Sequence, residues 1–126
     1  MKRKGILMGM FASLCLLFAT PARADNSFGA IARSPSTGQM ASSSGYATQW
    51  EAERAARSSC GYDDCRVAVW GNNQCVAVMV DSNGNYGWAS GNTDRAAVGQ
   101  AMIQCLAQNG GNAACSWPIS VCSPAQ

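Results

Sequence analysis

Two stretches of this chain read as copies of one another at an offset of about 45 residues, and that repeat limits the possible folds more than any single motif does. Ala32 falls on Ala77, Thr48 on Thr93, Ala52 on Ala97, Ala56 on Ala101 and Cys60 on Cys105. Chance alignment of alanine-rich helices would account for the alanines but not for the matching threonines and cysteines. Thr48-Gln49-Trp50-Glu51 has the spacing of a capping box, in which the hydroxyl covers a free amide and the glutamate reaches back to the cap. A helix to about Cys60 follows, and Thr93 starts its counterpart, which runs to about Gln108. Ala52, Ala56 and Cys60 recur at helical spacing, as do Ala97, Ala101 and Cys105, and a stripe of such small residues lets a helix lie close on a sheet.

Strand signals flank both helices. Phe28-Gly29-Ala30-Ile31-Ala32 precedes the turn residues Ser34-Pro35-Ser36-Thr37-Gly38, and Met40 to Tyr46 returns as a Ser-rich second strand. Arg66-Val67-Ala68-Val69-Trp70 is rich in β-branched and aromatic residues and has the pattern of a largely buried strand, with Trp70, like Trp117, expected in the core. Cys75 to Val80 and Tyr86-Gly87-Trp88-Ala89 flank Asp81-Ser82-Asn83-Gly84-Asn85, where Asn-Gly suits a type I′ hairpin. The same five residues imitate the start of a calcium loop. However, Tyr86 stands where that loop needs Gly, and Asn92 where it needs its bidentate Glu. A last strand runs from Cys115 to Cys122. The expected fold is α+β: a duplicated β-β-α-β unit with about six mainly antiparallel strands and two helices, stapled by disulfides around one modest core.

The N-terminus sets the expected compartment. Lys2, Arg3 and Lys4 precede an apolar run from Gly5 to Ala19, and Ala22-Arg23-Ala24 is a small-x-small cleavage pattern, so residues 1–24 read as a signal peptide and residues 25–126 as a single mature domain. The apolar run is too short for a membrane span, and Leu14 before Cys15 is wrong for a lipidation site. Cleavage removes four of the nine Lys and Arg, leaving Arg33, Arg54, Arg57, Arg66 and Arg95 against seven acids, a net charge of −2. With no lysine left and no histidine anywhere, the basic footprint of a nucleic-acid binder is missing. Cys60, Cys65, Cys75, Cys105, Cys115 and Cys122 remain, an even set that in a small exported chain reads as three disulfides. Their spacings do not make the paired knuckles of a zinc site, so no metal and no cofactor are expected. The repeat makes Cys60–Cys65 and Cys105–Cys115 equivalent bridges and leaves Cys75 for Cys122, one of the fifteen pairings that six cysteines permit.

The run from Phe28 through Ser34-Pro35-Ser36-Thr37-Gly38, the helix ending in Cys60, Cys65-Arg66-Val67 with Val69-Trp70, Cys75-Val76-Ala77, and Trp117 with Val121-Cys122-Ser123 together resemble the exported bacterial domain-of-unknown-function family 4189 (DUF4189). The likeness covers nearly the whole mature chain. It implies a small secreted or periplasmic protein, and for some members a place beside secretion-system toxins as candidate immunity proteins, for others a host-interacting role. It brings no catalytic residues with it.

The residues themselves favour binding over catalysis. General acid–base work most often uses His, which is missing, and a nucleophile needs a base that only Asp or Glu can supply here. Asp63-Asp64 is the one paired-carboxylate candidate for a small hydrolase, and it sits in a short loop that reads as a solvated turn. Tyr46, Trp50, Tyr62, Tyr86 and Trp88 are large aromatics near turns or on weak strands, the residue types that anchor protein interfaces. The expected partner is therefore a protein, either a toxin or a host target, reached from the periplasm or after secretion.

Overall fold

The computed structural model describes residues 26–124, apart from the side chain of Trp117. The signal-peptide reading of residues 1–24, the start at Asp25 and the expected core position of Trp117 lie outside what it describes. The elements are β1 (Phe28–Arg33), β2 (Met40–Tyr46), α1 (Gln49–Cys60), β3 (Arg66–Asn72), β4 (Gln74–Val80), β5 (Tyr86–Gly91), α2 (Asp94–Gln108) and β6 (Ser116–Ser123). They form two three-stranded sheets, ordered β2-β1-β3 and β5-β4-β6, and every pairing is antiparallel. Each half thus has the same β-β-α-β order, with its first strand in the middle of its own sheet.

Both helices start as their sequences dictate. Thr48 Oγ1 accepts from the Glu51 amide at 3.1 Å, and Thr93 Oγ1 accepts from the Ala96 amide at 3.1 Å. α1 ends at Gly61, whose φ of 83° is the left-handed conformation that only glycine adopts without strain. Ala52, Ala56 and Cys60 are buried against Ala30 and Ala32 of β1, and Ala97, Ala101 and Cys105 are buried against Cys75, Ala77 and Met79 of β4. The three bridges are Cys60–Cys65, Cys75–Cys122 and Cys105–Cys115. The first and last tie each helix's C-terminal end to the start of the strand that follows.

The core differs from the single one expected. Successive side chains of a strand point to opposite faces, and both faces of β1 and β4 are covered. Ile31 and Val69 meet Val76 and Val78 in a third cluster between the two sheets. The layers therefore run α1, first sheet, second sheet, α2, with an Ala-lined interface under each helix and a β-branched core between the sheets.

Two further expectations are corrected. Arg66–Trp70 is not a largely buried strand. β3 is an edge strand, bulged where Ile31 pairs with Val69 and Ala32 with Val67, and Trp70 is 43% exposed, packed on Phe28 at a ring-centroid distance of 6.0 Å. The β4–β5 connection is not type I′, since Gly84 alone takes a positive φ, 89°, while Asn83 does not. The Gly84 amide donates to the Asp81 carbonyl and the Asp81 amide to the Asn85 carbonyl. That is a three-residue hairpin loop with its one left-handed position on glycine.

Candidate functional site

The alternation of β5 places the candidate site. Its outer row, Gly87, Ala89 and Gly91, is small because α2 lies directly on it. A Cβ added at Gly87 would fall 2.2 Å from the Cys105 backbone nitrogen and 2.3 Å from the Ala101 carbonyl oxygen. Its inner row begins with Tyr86 and Trp88, whose rings lie 5.6 Å apart and point toward the first sheet at the β3/β5 edge of the sandwich. Trp88 is 38% exposed. It borders a hollow of about 380 Å³ with Val69, Ser90 and the α2 residues Gln100 and Gln104. Among the described side chains, the repeat does not reproduce this pair. Arg33 pairs with Met40 in the first sheet as Val78 pairs with Trp88 in the second, so Met40 holds the equivalent of the Trp88 position. The opposite edge is closed by polar links through Ser123, whose Oγ accepts from the Gly45 amide at 2.9 Å and shares a hydrogen bond with Ser27 Oγ at 2.7 Å.

The five aromatics singled out in the sequence do not converge. Tyr86 and Trp88 are neighbours, as their spacing on one strand requires. Tyr46 and Trp50 line a separate hollow of about 310 Å³ with Arg54 and Ser58, in which the Arg54 guanidinium lies 5.1 Å from the centre of the Trp50 ring. Tyr62 is half exposed in the turn between α1 and β3.

Asp63 and Asp64 stand in different surroundings. Asp63 is exposed, while Asp64 accepts from Ser34 Oγ at 2.7 Å and from the Ser36 amide at 2.9 Å, fixing the β1–β2 loop to the loop before β3. The Ser34 hydroxyl, followed by Ser36, holds the Asp64 carboxyl down at about 2. Asp81 plays the matching part in the second half. Its carboxylate accepts from the amides of Asn83 and Asn85 and from the side chains of Asn85 and Asn109. Asn109 first and Asn85 second hold it at about 2. The carboxylate that suggested a calcium loop is thus occupied by amide donors. Among the described residues, no cluster of three or more His, Cys, Asp or Glu gathers as a metal site.

Arg33 and Arg66 were not singled out in the sequence. They stand opposite one another on the β1–β3 ladder and line a hollow of about 260 Å³ with Pro35 and Tyr86, next to the aromatic pair. Composition carries a faint signal for them, because residues 25–126 hold only five cations. The register that makes two of them neighbours is not readable from composition.

The described residues include no helix long and apolar enough to cross a membrane. Three disulfides fit an oxidising compartment. A family model described as a domain of unknown function (DUF4189) matches residues 28–122. No curated protein and no solved structure matches the chain.

Proposed function

The chain belongs to the DUF4189 family, and on that premise we propose that it is a non-catalytic binding domain, exported to the periplasm or secreted, that serves as the immunity or inhibitor partner of a secreted toxin. The observation that carries this reading is the aromatic pair on an edge strand. Tyr86 and Trp88 stand side by side on β5, the unpaired edge of the second sheet, with Trp88 partly open to solvent. An edge strand offers free backbone donors and acceptors, and two rigid aromatics beside it supply apolar area at little ordering cost. The bridges and the packed α2 hold that edge in place before any partner arrives. The commitment of Asp64 to Ser34 and Ser36 supports binding over carboxylate-dependent hydrolysis.

The test is direct binding to the toxin encoded beside this gene, measured by calorimetry with the wild type and with Trp88→Ala. A central aromatic truncated to alanine costs about 2 kcal/mol or more of binding, so the variant should bind roughly thirtyfold more weakly with an unchanged melting temperature. Equal binding by the variant removes the aromatic edge from the interface. If no toxin is encoded there, the secreted host-directed role, which would use the same edge, takes the place of immunity.

A further inference from the structure

We infer that Arg33, Arg66 and Tyr86 form an oxyanion-binding site at the mouth of the β1–β3 ladder. This inference stands whether or not the neighbouring edge docks a protein. Arg33 and Arg66 are directly opposite partners in an antiparallel pair, where like charges repel at short range. Among the described residues, neither guanidinium makes a salt bridge. Asp64 and Asp81 are already engaged with neutral donors: Asp64 holds the β1–β2 loop, and Asp81 holds its own hairpin and Asn109, while Asp63 stands exposed in the turn before β3. Two of the five cations in residues 26–124 are therefore concentrated at one point without compensation, in a stretch whose acids outnumber its bases.

The geometry of Arg33 is that of a prepared donor. Its guanidinium lies 4.6 Å from the centre of the Tyr86 ring, which fixes its plane, and one Nη donates to the Gly84 carbonyl at 3.3 Å. Its Nε is buried with no hydrogen-bond partner. A buried N–H left unpaired is costly, and native structures keep few of them without a reason. A guanidinium held by its face and one corner is fixed in its plane, and the fork of such a group matches the two oxygens of a carboxylate or phosphate. Arg66 is exposed and borders the same hollow, which puts a second cation within reach of one bound anion.

The chemistry of the ligand is that of an oxyanion, a phosphate or a carboxylate, and the experiment separates the two. The full protein, labelled at the arginine Nε–Hε groups, is titrated by NMR with sodium phosphate and with sodium acetate, each against sodium chloride at equal ionic strength. The Arg33 Nε–Hε resonance should shift saturably with at least one of the oxyanions and not with chloride. In Arg66→Gln the affinity should fall about tenfold, the size expected for losing one charge-assisted contact. Arg66→Glu, which supplies a carboxylate opposite Arg33, should abolish the shift. A response to phosphate alone assigns a phosphate ligand, a response to acetate alone a carboxylate, and a response to both a general oxyanion site. No saturable shift above chloride, or unchanged affinity in Arg66→Gln with the fold intact by its disulfide-bonded amide spectrum, overturns the inference.

Discussion

Single carboxylates do much of the joining in this molecule, and they make its stability depend on acid. Asp64 and Asp81 each bind several donors, and both carboxyls lie near 2 rather than the ordinary 3.8. A carboxyl depressed in the fold contributes stability that is complete above its unfolded value and is lost as the pH falls toward its folded one. Thermal unfolding should therefore be steady above about pH 4 and fall off between there and about pH 2. Asp81→Asn keeps an oxygen for the loop amides but sets a nitrogen against Asn109, so it should melt lower at neutral pH and show a shallower acid slope. An unchanged slope would mean that Asp81 is not one of the groups responsible. From the sequence, Asp63-Asp64 reads as a solvated turn. That describes Asp63, but it misses Asp64, because the hydroxyl it binds lies on a hairpin loop 30 residues earlier.

At the scale of elements, the helices were legible because their signals are local. A threonine cap and a stripe of small residues lie within a few positions of one another, and the buried faces are the ones so marked. The strands were legible as strands but not in their surroundings. β1 and β4 are covered on both faces and read as plain apolar runs, which do not reveal that one face meets a helix and the other a second sheet. Trp70 was misjudged for the same reason, since an aromatic in an apolar run carries no sign that its strand is an edge. The candidate edge was half legible: Tyr86 and Trp88 share a face by simple alternation, whereas the arginines beside them depend on inter-strand register. The glycines of this region offer a test of opposite signs. Gly87→Ala forces a methyl group into the backbone of α2 and should cost toward the upper end of the ~1–3 kcal/mol typical of overpacking. Gly99→Ala, in the exposed middle of α2 with nothing within 4 Å of the added carbon, should stabilise by about 0.5–1 kcal/mol. Urea unfolding midpoints of the two variants decide it, and a mild Gly87→Ala would mean that α2 does not rest on β5 as closely as described.

Across the whole molecule, the two halves share a plan but not an independent existence. Each brings its own helix and its own short bridge, yet the core between the sheets is made jointly by Ile31 and Val69 from one half and Val76 and Val78 from the other. Neither half can bury those side chains alone, so unfolding should remain a single transition despite the repeat. The halves also differ in one staple. Cys75 and Cys122 pair across β4 and β6, while the corresponding pair in the first sheet is Ala30 and Trp70. Closing a separation of 47 residues removes more freedom from the unfolded chain than closing one of 5. Loop-closure entropy puts the two contributions at about 4 and about 2 kcal/mol. Replacing Cys75 and Cys122 together by Ala should therefore lower the melting temperature more than replacing Cys60 and Cys65, and the drop should appear as one shifted transition at every wavelength followed. Two separate transitions in the Cys75→Ala/Cys122→Ala protein would show that the inter-sheet core does not couple the halves. A larger loss from the Cys60–Cys65 bridge would show that native packing around the α1 terminus outweighs chain entropy.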